Sequence, residues 1–238
     1  MNTDLSHLGT ILSVWAHPDD ETYLAGGLMA AAVRNGQRVV CVTASAGERG
    51  TTDPLRWPPS RLGPVRRLEA AAAAAVLGVS EHHVLGLPDG DLASHDVEGT
   101  DLFGRLIDEV RPDTVVTFGP DGMTFHPDHL AVHRWVCAVW QRRGRAPRLL
   151  HATWTTENLA RFGRLHEDHG VYMSDARPEG VSTDRLSVHL RLDGSELDRK
   201  MVALRAMATQ TGPLLDAIGP DLFAALVAEE CFVDEASR

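Results

Sequence analysis

Short apolar runs alternate with amphipathic stretches over the first 153 residues of this 238-residue chain. The run at 11–16 (ILSVWA) predicts a buried strand. An amphipathic stretch over 21–34 predicts a helix, ended by the Asn35-Gly36 turn. The β-branched run at 38–44 predicts a second strand, and the proline- and glycine-bearing segment 45–64 a long surface loop. An Ala-rich helix over 65–77 stops at Gly78. Strands at 83–87, 114–118 and 149–153 then alternate with helices at 101–111 and 127–142. Residues 154–194 are less regular, with a helix, a loop and a strand near 186–192. Two helices close the pattern, over 195–207 and 221–230, with Ser195 and Asp221 as N-cap candidates.

Strand–helix alternation implies right-handed crossovers, hence a Rossmann-like α/β fold. The expected form is a mainly parallel sheet with helices on both faces and an irregular C-terminal third. No repeat or linker interrupts the pattern, so residues 1–238 read as one domain. Aromatics are only 5% of the chain, so the core must rely on Ala, Val and Leu. A net charge of −10 argues against a nucleic-acid or anionic-membrane binder, and no apolar run is long enough to span a bilayer. Cys41, Cys137 and Cys231 are widely spaced among apolar neighbours, which fits reduced thiols rather than a thiolate metal site. The opening MNTDLSHLGT has no basic n-region followed by an apolar stretch. A cytoplasmic protein acting on a small molecule is the resulting expectation.

Ligands of an open α/β sheet bind beyond the carboxyl ends of its strands. Four polar segments fall there: AHPDDE at 16–21, SAGERGT at 45–51, LPDG at 87–90, and the stretch from Gly119 to HPDH at 126–129. Histidine and carboxylate ligands suit Zn²⁺, and a catalytic zinc keeps three protein ligands and one open position. His17 and Asp20 stand three residues apart, and His126 and His129 repeat that spacing. Three ligands can come from these four residues, leaving an imidazole for catalysis. Either acidic segment alone would also suit a helix N-terminus, where the dipole favours carboxylates. Two of them converging on one rim favour a site.

The motifs AHPDDE and HPDH resemble the paired signatures of the PIG-L/LmbE-like N-acetylglucosaminyl deacetylases. The resemblance extends through GERGT at 47–51, Arg66-Arg67-x-Glu69, LGV at 77–79 and LPDG, with a weaker echo over 200–210. It implies a zinc-dependent N-deacetylase with His17, Asp20 and His129 as ligands, Asp19 as general base and His126 as electrostatic stabiliser. Adjacent carboxylates leave Asp19 and Asp20 both open as the ligand; the spacing to His17 and the resemblance favour Asp20. Glu48, Arg49, Arg66, Asp89 and Gln210 are the expected substrate-binding set, and the substrate an N-acylated amino sugar or its glycoside.

Two departures from the family pattern bear on the substrate. Thr124 stands where some members carry a tyrosine that aids the oxyanion, and Met207 where the late segment often has histidine. An amidase acting on a larger N-acyl group or a thiol conjugate is therefore an alternative. A non-catalytic carbohydrate-binding protein of the same fold is another, although all the expected ligands and the base are present. Gly26-Gly27 is not a dinucleotide fingerprint, which weighs against a nucleotide enzyme. His82, His83, His95, His166, His169 and His189 show no interpretable paired spacing and are read as incidental.

Overall fold

The computed structural model describes residues 4–237. The first half follows the expected alternation. Its strands are β1 (Ile11–Trp15), β2 (Val39–Thr43), β3 (Glu81–Val84), β4 (Thr114–Phe118) and β5 (Arg148–Ala152). The helices between them are α1 (Asp20–Arg34), α2 (Pro59–Leu77), α3 (Asp96–Val110) and α4 (Pro127–Arg142). After β5 come α5 (Thr156–Asp168), β6 (Val188–Arg191), α6 (Gly194–Ala206), α7 (Ala208–Ile218), α8 (Pro220–Val227) and β7 (Glu229–Asp234).

All seven strands join one sheet in the order β3-β2-β1-β4-β5-β7-β6. The pairs from β3 to β5 are parallel, whereas β7 runs antiparallel to both β5 and β6. Helices α1, α2 and α6 pack together, and α3 packs on α4. The parallel strands β1, β2 and β4 are buried along their whole length, which is why they read as unbroken apolar runs. The edge strand β3 is only partly covered and carries Glu81, His82 and His83.

Several expectations need correction: α3 begins at Asp96 rather than at 101, and β3 spans Glu81–Val84 rather than 83–87. Helix α2 begins at Pro59, six residues before the expected start, because Pro59 occupies the first helical position and Pro64 is carried inside the helix. The loop after β2 is shorter accordingly. The expected helix 221–230 ends at Val227, and the residues after it form β7, whose central four positions are all buried. Helix α7 was not anticipated, and it carries Pro213 within it. The C-terminal third is therefore more regular than its sequence suggests. Among the described residues, no helix is long and apolar enough to cross a membrane.

A buried ion pair fastens this C-terminal part behind α1. Lys200 Nζ on α6 lies 2.6 Å from Glu230 Oε1 on β7, and both side chains are fully buried. Lys200 also donates to Tyr23 O, and Glu230 accepts from the backbone N–H groups of Gly27 and Leu28 at 2.7 and 2.8 Å. Gly27 permits the approach: a Cβ there would lie 2.6 Å from Leu192 and 3.1 Å from Glu230 Oε1. Lys200→Met would leave the Glu230 carboxylate buried without its cation. The expected cost is about 3–5 kcal/mol in urea unfolding; a loss below about 1 kcal/mol would contradict this role for the pair.

Candidate active site

The loops after β1 and β4 leave adjacent strands toward opposite faces of the sheet, which opens the crevice typical of a topological switch point. His17 and Asp20 come from the first loop and the start of α1, and His126 and His129 from the entry to α4. His129 is supported from below by Phe118, whose ring stacks on it with centroids 4.2 Å apart.

The hydrogen-bond network distinguishes the imidazoles by which nitrogen is already engaged. Nε2 of His17 lies 3.1 Å from both Asp89 Oδ1 and Asp128 Oδ2, so it carries the proton. Nδ1 of His129 donates to Gly122 O at 2.9 Å. The remaining nitrogens, His17 Nδ1 and His129 Nε2, face each other at 3.3 Å. Asp20 closes the triangle, with Oδ2 3.5 Å from His17 Nδ1 and Oδ1 3.3 Å from His129 Nε2. Metal–ligand bonds of about 2.0–2.1 Å in a tetrahedron place neighbouring ligand atoms about 3.3 Å apart. Two lone pairs and a carboxylate held at that spacing fit a cation between them, so these three residues suit a zinc ion.

His126 is turned differently. Its Nδ1 accepts from Asp128 N at 3.1 Å and so caps α4. An accepting Nδ1 leaves the proton on Nε2 of a neutral ring, and burial lowers the pKa of His126 accordingly. His126 lines the cavity, where that N–H is a donor.

Asp19 has φ 123° and ψ −37°, in the left-handed half of the map that a residue with a Cβ rarely enters. The turn is held by Glu21, whose Oε2 accepts from Asp19 N at 2.9 Å, and by Thr22 and Tyr23, whose N–H groups donate to Asp19 O. The conformation aims the carboxylate into the cavity beside Asp20. Burial pushes the Asp19 carboxyl up to about 6, with the Arg66 guanidinium 3.3 Å away working against it. Burial likewise moves Glu21 to about 7 and His129 down to about 4. At His17 burial disfavours the charged ring, but Asp128, Asp20 and Asp89 together raise its pKa well above the ordinary value, so a cation at Nδ1 would take the place of a second proton there. The cluster is rich in carboxylates and its geometry calls for a cation.

The wider set of expected residues divides. Arg49, Arg66, Asp89 and Gln210 line a cavity of about 500 Å³ together with the histidine–aspartate cluster, and Glu48 does not. Glu48 stands behind, accepting from Asp89 N at 3.0 Å. Asp89 is occupied by His17 and by Arg49 N at 2.6 Å. Arg66 is buried and donates to Gly47 O and Pro18 O besides meeting Asp19. Arg49 and Gln210 are the two with side chains facing the cavity without such ties to the cluster.

Sequence reasoning gave Asp128 no role. Fully buried, it accepts from Gly90 N, Leu92 N and His17 Nε2 at once. Its position between the two histidines of HPDH was the available signal. It also passed over His166 and His169, which line the far part of the cavity from α5 and the residues after it.

A Rossmann-like sheet with a His–Asp–His cluster at its switch point defines the class: an α/β protein with a histidine–carboxylate centre. The chain belongs to the PIG-L (GlcNAc-PI de-N-acetylase) family, whose model matches residues 12–140. It is 33% identical to the 1D-myo-inositol 2-acetamido-2-deoxy-alpha-D-glucopyranoside deacetylase of Saccharomonospora viridis, across 90% of this chain and 88% of that one. Among solved structures, the A40926 pseudoaglycone deacetylase superposes with a TM-score of 0.68 at 23% identity, covering 95% of this chain and 97% of its own. The N,N'-diacetylchitobiose deacetylase from Pyrococcus horikoshii gives 0.66 at 21% identity, over 96% and 84%. At these identities the two structures speak for the fold.

Strain at Asp19 makes a separate prediction about stability. Releasing a residue from such a conformation recovers of order 1–3 kcal/mol, partly offset by the freedom glycine adds to the unfolded chain. Asp19→Gly and Asp19→Ala both lose the pair with Arg66, so the strain shows in their difference: the glycine variant is expected to be more stable than the alanine variant by about 1 kcal/mol in urea unfolding. Equal stability of the two, or a more stable alanine variant, would show that Asp19 is not strained.

Proposed function

We propose that this chain is a zinc-dependent N-deacetylase, removing the acetyl group from the amide nitrogen of an amino sugar or its glycoside. The observation that carries the reading is the spacing of His17 Nδ1, Asp20 and His129 Nε2 at the edge lengths of a zinc tetrahedron. Membership of a de-N-acetylase family and relatives named as acetamido-sugar deacetylases support the same reaction. The proposal treats the chain as one catalytic unit, because β6 and β7 complete the sheet that β1 to β5 begin. It keeps cytoplasmic residence, in line with three cysteines that form no disulfide among the described residues.

A zinc ion bound there would lower the pKa of water toward ~7 and polarise the amide carbonyl. In this reading Asp19 takes a proton from the attacking water and passes it to the departing amine, while Arg66 holds the carboxylate in position. Nε2–H of His126 donates to the oxygen on which negative charge grows, a task a neutral imidazole can perform. Thr124 offers no phenol, so this role falls to His126. Asp89 and Asp128 orient His17 and keep its proton on Nε2, the outer-shell role that carboxylates often play at metal-bound histidines. Arg49 and Gln210 are left to meet sugar hydroxyls, with Glu48 fixing the Asp89 loop.

Elemental analysis of purified protein tests the ligand set. His17→Ala, Asp20→Ala and His129→Ala should each lose zinc, and Asp128→Asn should weaken zinc binding roughly 10–100-fold. Undiminished zinc in all the alanine variants would contradict the assignment. Asp19→Asn and His126→Ala should keep zinc and lose roughly 10²–10⁴-fold in turnover. Acetate release and amine formation would be followed on N-acetylglucosamine, its glycosides, N-acetyl amino acids and cysteine conjugates. Turnover confined to the non-sugar amides would defeat the amino-sugar assignment and favour the amidase alternative.

A further inference from the structure

The cavity extends beyond the histidine–aspartate cluster, and its chemistry changes on the way. Near the cluster the lining is charged. Its aliphatic part comes from helices α1, α7 and α8, which contribute Leu24, Leu214, Leu226 and Val227. Helix α8 is seated on α1 through Phe223, whose ring meets that of Tyr23 edge to face at 6.1 Å. Trp154 joins the lining with its one polar atom used, since Nε1 donates to Met123 O at 3.3 Å.

Two of the polar side chains that line the same cavity, Glu229 and His166, already have protein partners. Glu229 accepts from His189 Nε2 at 2.7 Å and from Asn158 Nδ2 at 3.1 Å. His166 Nδ1 pairs with the Tyr172 hydroxyl at 3.3 Å. Relatives in the family are named for an inositol glycoside, whose polyol needs a hydrogen-bond partner for each buried hydroxyl. The side chains of Leu24, Leu214, Leu226 and Val227 offer none. A cavity of about 500 Å³ is nonetheless within the range that encloses a whole drug-sized ligand, so it has room for more than one sugar ring.

We propose that the amino sugar deacetylated by this chain carries an apolar aglycone, seated on the wall formed by Leu24, Leu214, Leu226 and Val227. The inference rests on the amino-sugar deacetylase reading above and adds to it the group attached to the sugar. The acetyl group is small, so the aglycone is the part of the substrate that such a wall would select.

The test measures kcat/KM for acetate release by the zinc-loaded full chain. Its substrates are free N-acetylglucosamine, its methyl, butyl and octyl glycosides prepared as both anomers, and the inositol glycoside. Burying one methylene is worth about fourfold, so the butyl glycoside should exceed the methyl by more than about tenfold, chiefly through KM. In Leu214→Ser and Leu226→Ser that butyl-to-methyl ratio should fall toward one. A ratio taken within one variant does not depend on the fraction of folded protein. A ratio near one in the wild type, or better turnover of the inositol glycoside than of the butyl, would overturn the proposal. So would a gain that follows an N-butyryl group in place of N-acetyl rather than the aglycone. Absence of acetate from every sugar would instead defeat the deacetylase reading, and this inference with it.

Discussion

Asp89 and Asp128 approach the same nitrogen of His17, each at 3.1 Å, and most of the site follows from that clamp. It fixes the tautomer, so that the opposite nitrogen faces Asp20 and His129. It also ties together three strand ends. His17 follows β1, Asp89 follows β3, and Asp128 lies in the first turn of α4, after β4. Asp128 adds two backbone bonds, from Gly90 N and Leu92 N, so the loop that carries Asp89 is held by the residue that shares its task. Buried carboxylates are costly unless hydrogen-bonded. Here each one is bonded, and the bonding defines the arrangement.

Rigid support comes from behind the cluster. Phe118 stacks on His129, and Trp15 meets Phe118 edge to face at 4.9 Å. The Lys200–Glu230 pair braces α1 two turns beyond Asp20, and Lys200 holds Tyr23 O on the helix that carries that aspartate. The strain at Asp19 persists because its surroundings determine it: Glu21 takes its N–H and Arg66 its carboxylate. Helices α7 and α8, which contribute aliphatic residues to the cavity, lie in the chain between the two members of that pair, Lys200 on α6 and Glu230 on β7.

Much of the parallel half was legible because buried strands leave continuous apolar runs and the HPDD and HPDH motifs sit at their ends. The three residues read as metal ligands lie within reach of one point. Asp128 and Arg66 were harder to read. A carboxylate at the start of a helix and an arginine two residues after Pro64 each have an ordinary local explanation, and only tertiary contact reveals their partners. Glu48 and Asp89 drew attention as polar residues on the right rim, but sequence gave no means of seeing that they bind protein atoms. Strand β7 was missed because its short apolar run continues from a helical pattern without a turn signal. Its pairing with β5 and β6 comes entirely from long-range contacts.

Anomalous diffraction at the zinc edge, on crystals of the zinc-loaded full chain, tests the central claim most directly. The account predicts one strong peak about 2.0–2.2 Å from His17 Nδ1, an Asp20 oxygen and His129 Nε2, with His126 and Asp19 outside bonding distance. A peak bound instead by His126 or Asp19, or none at this cluster in protein that contains zinc, would contradict it.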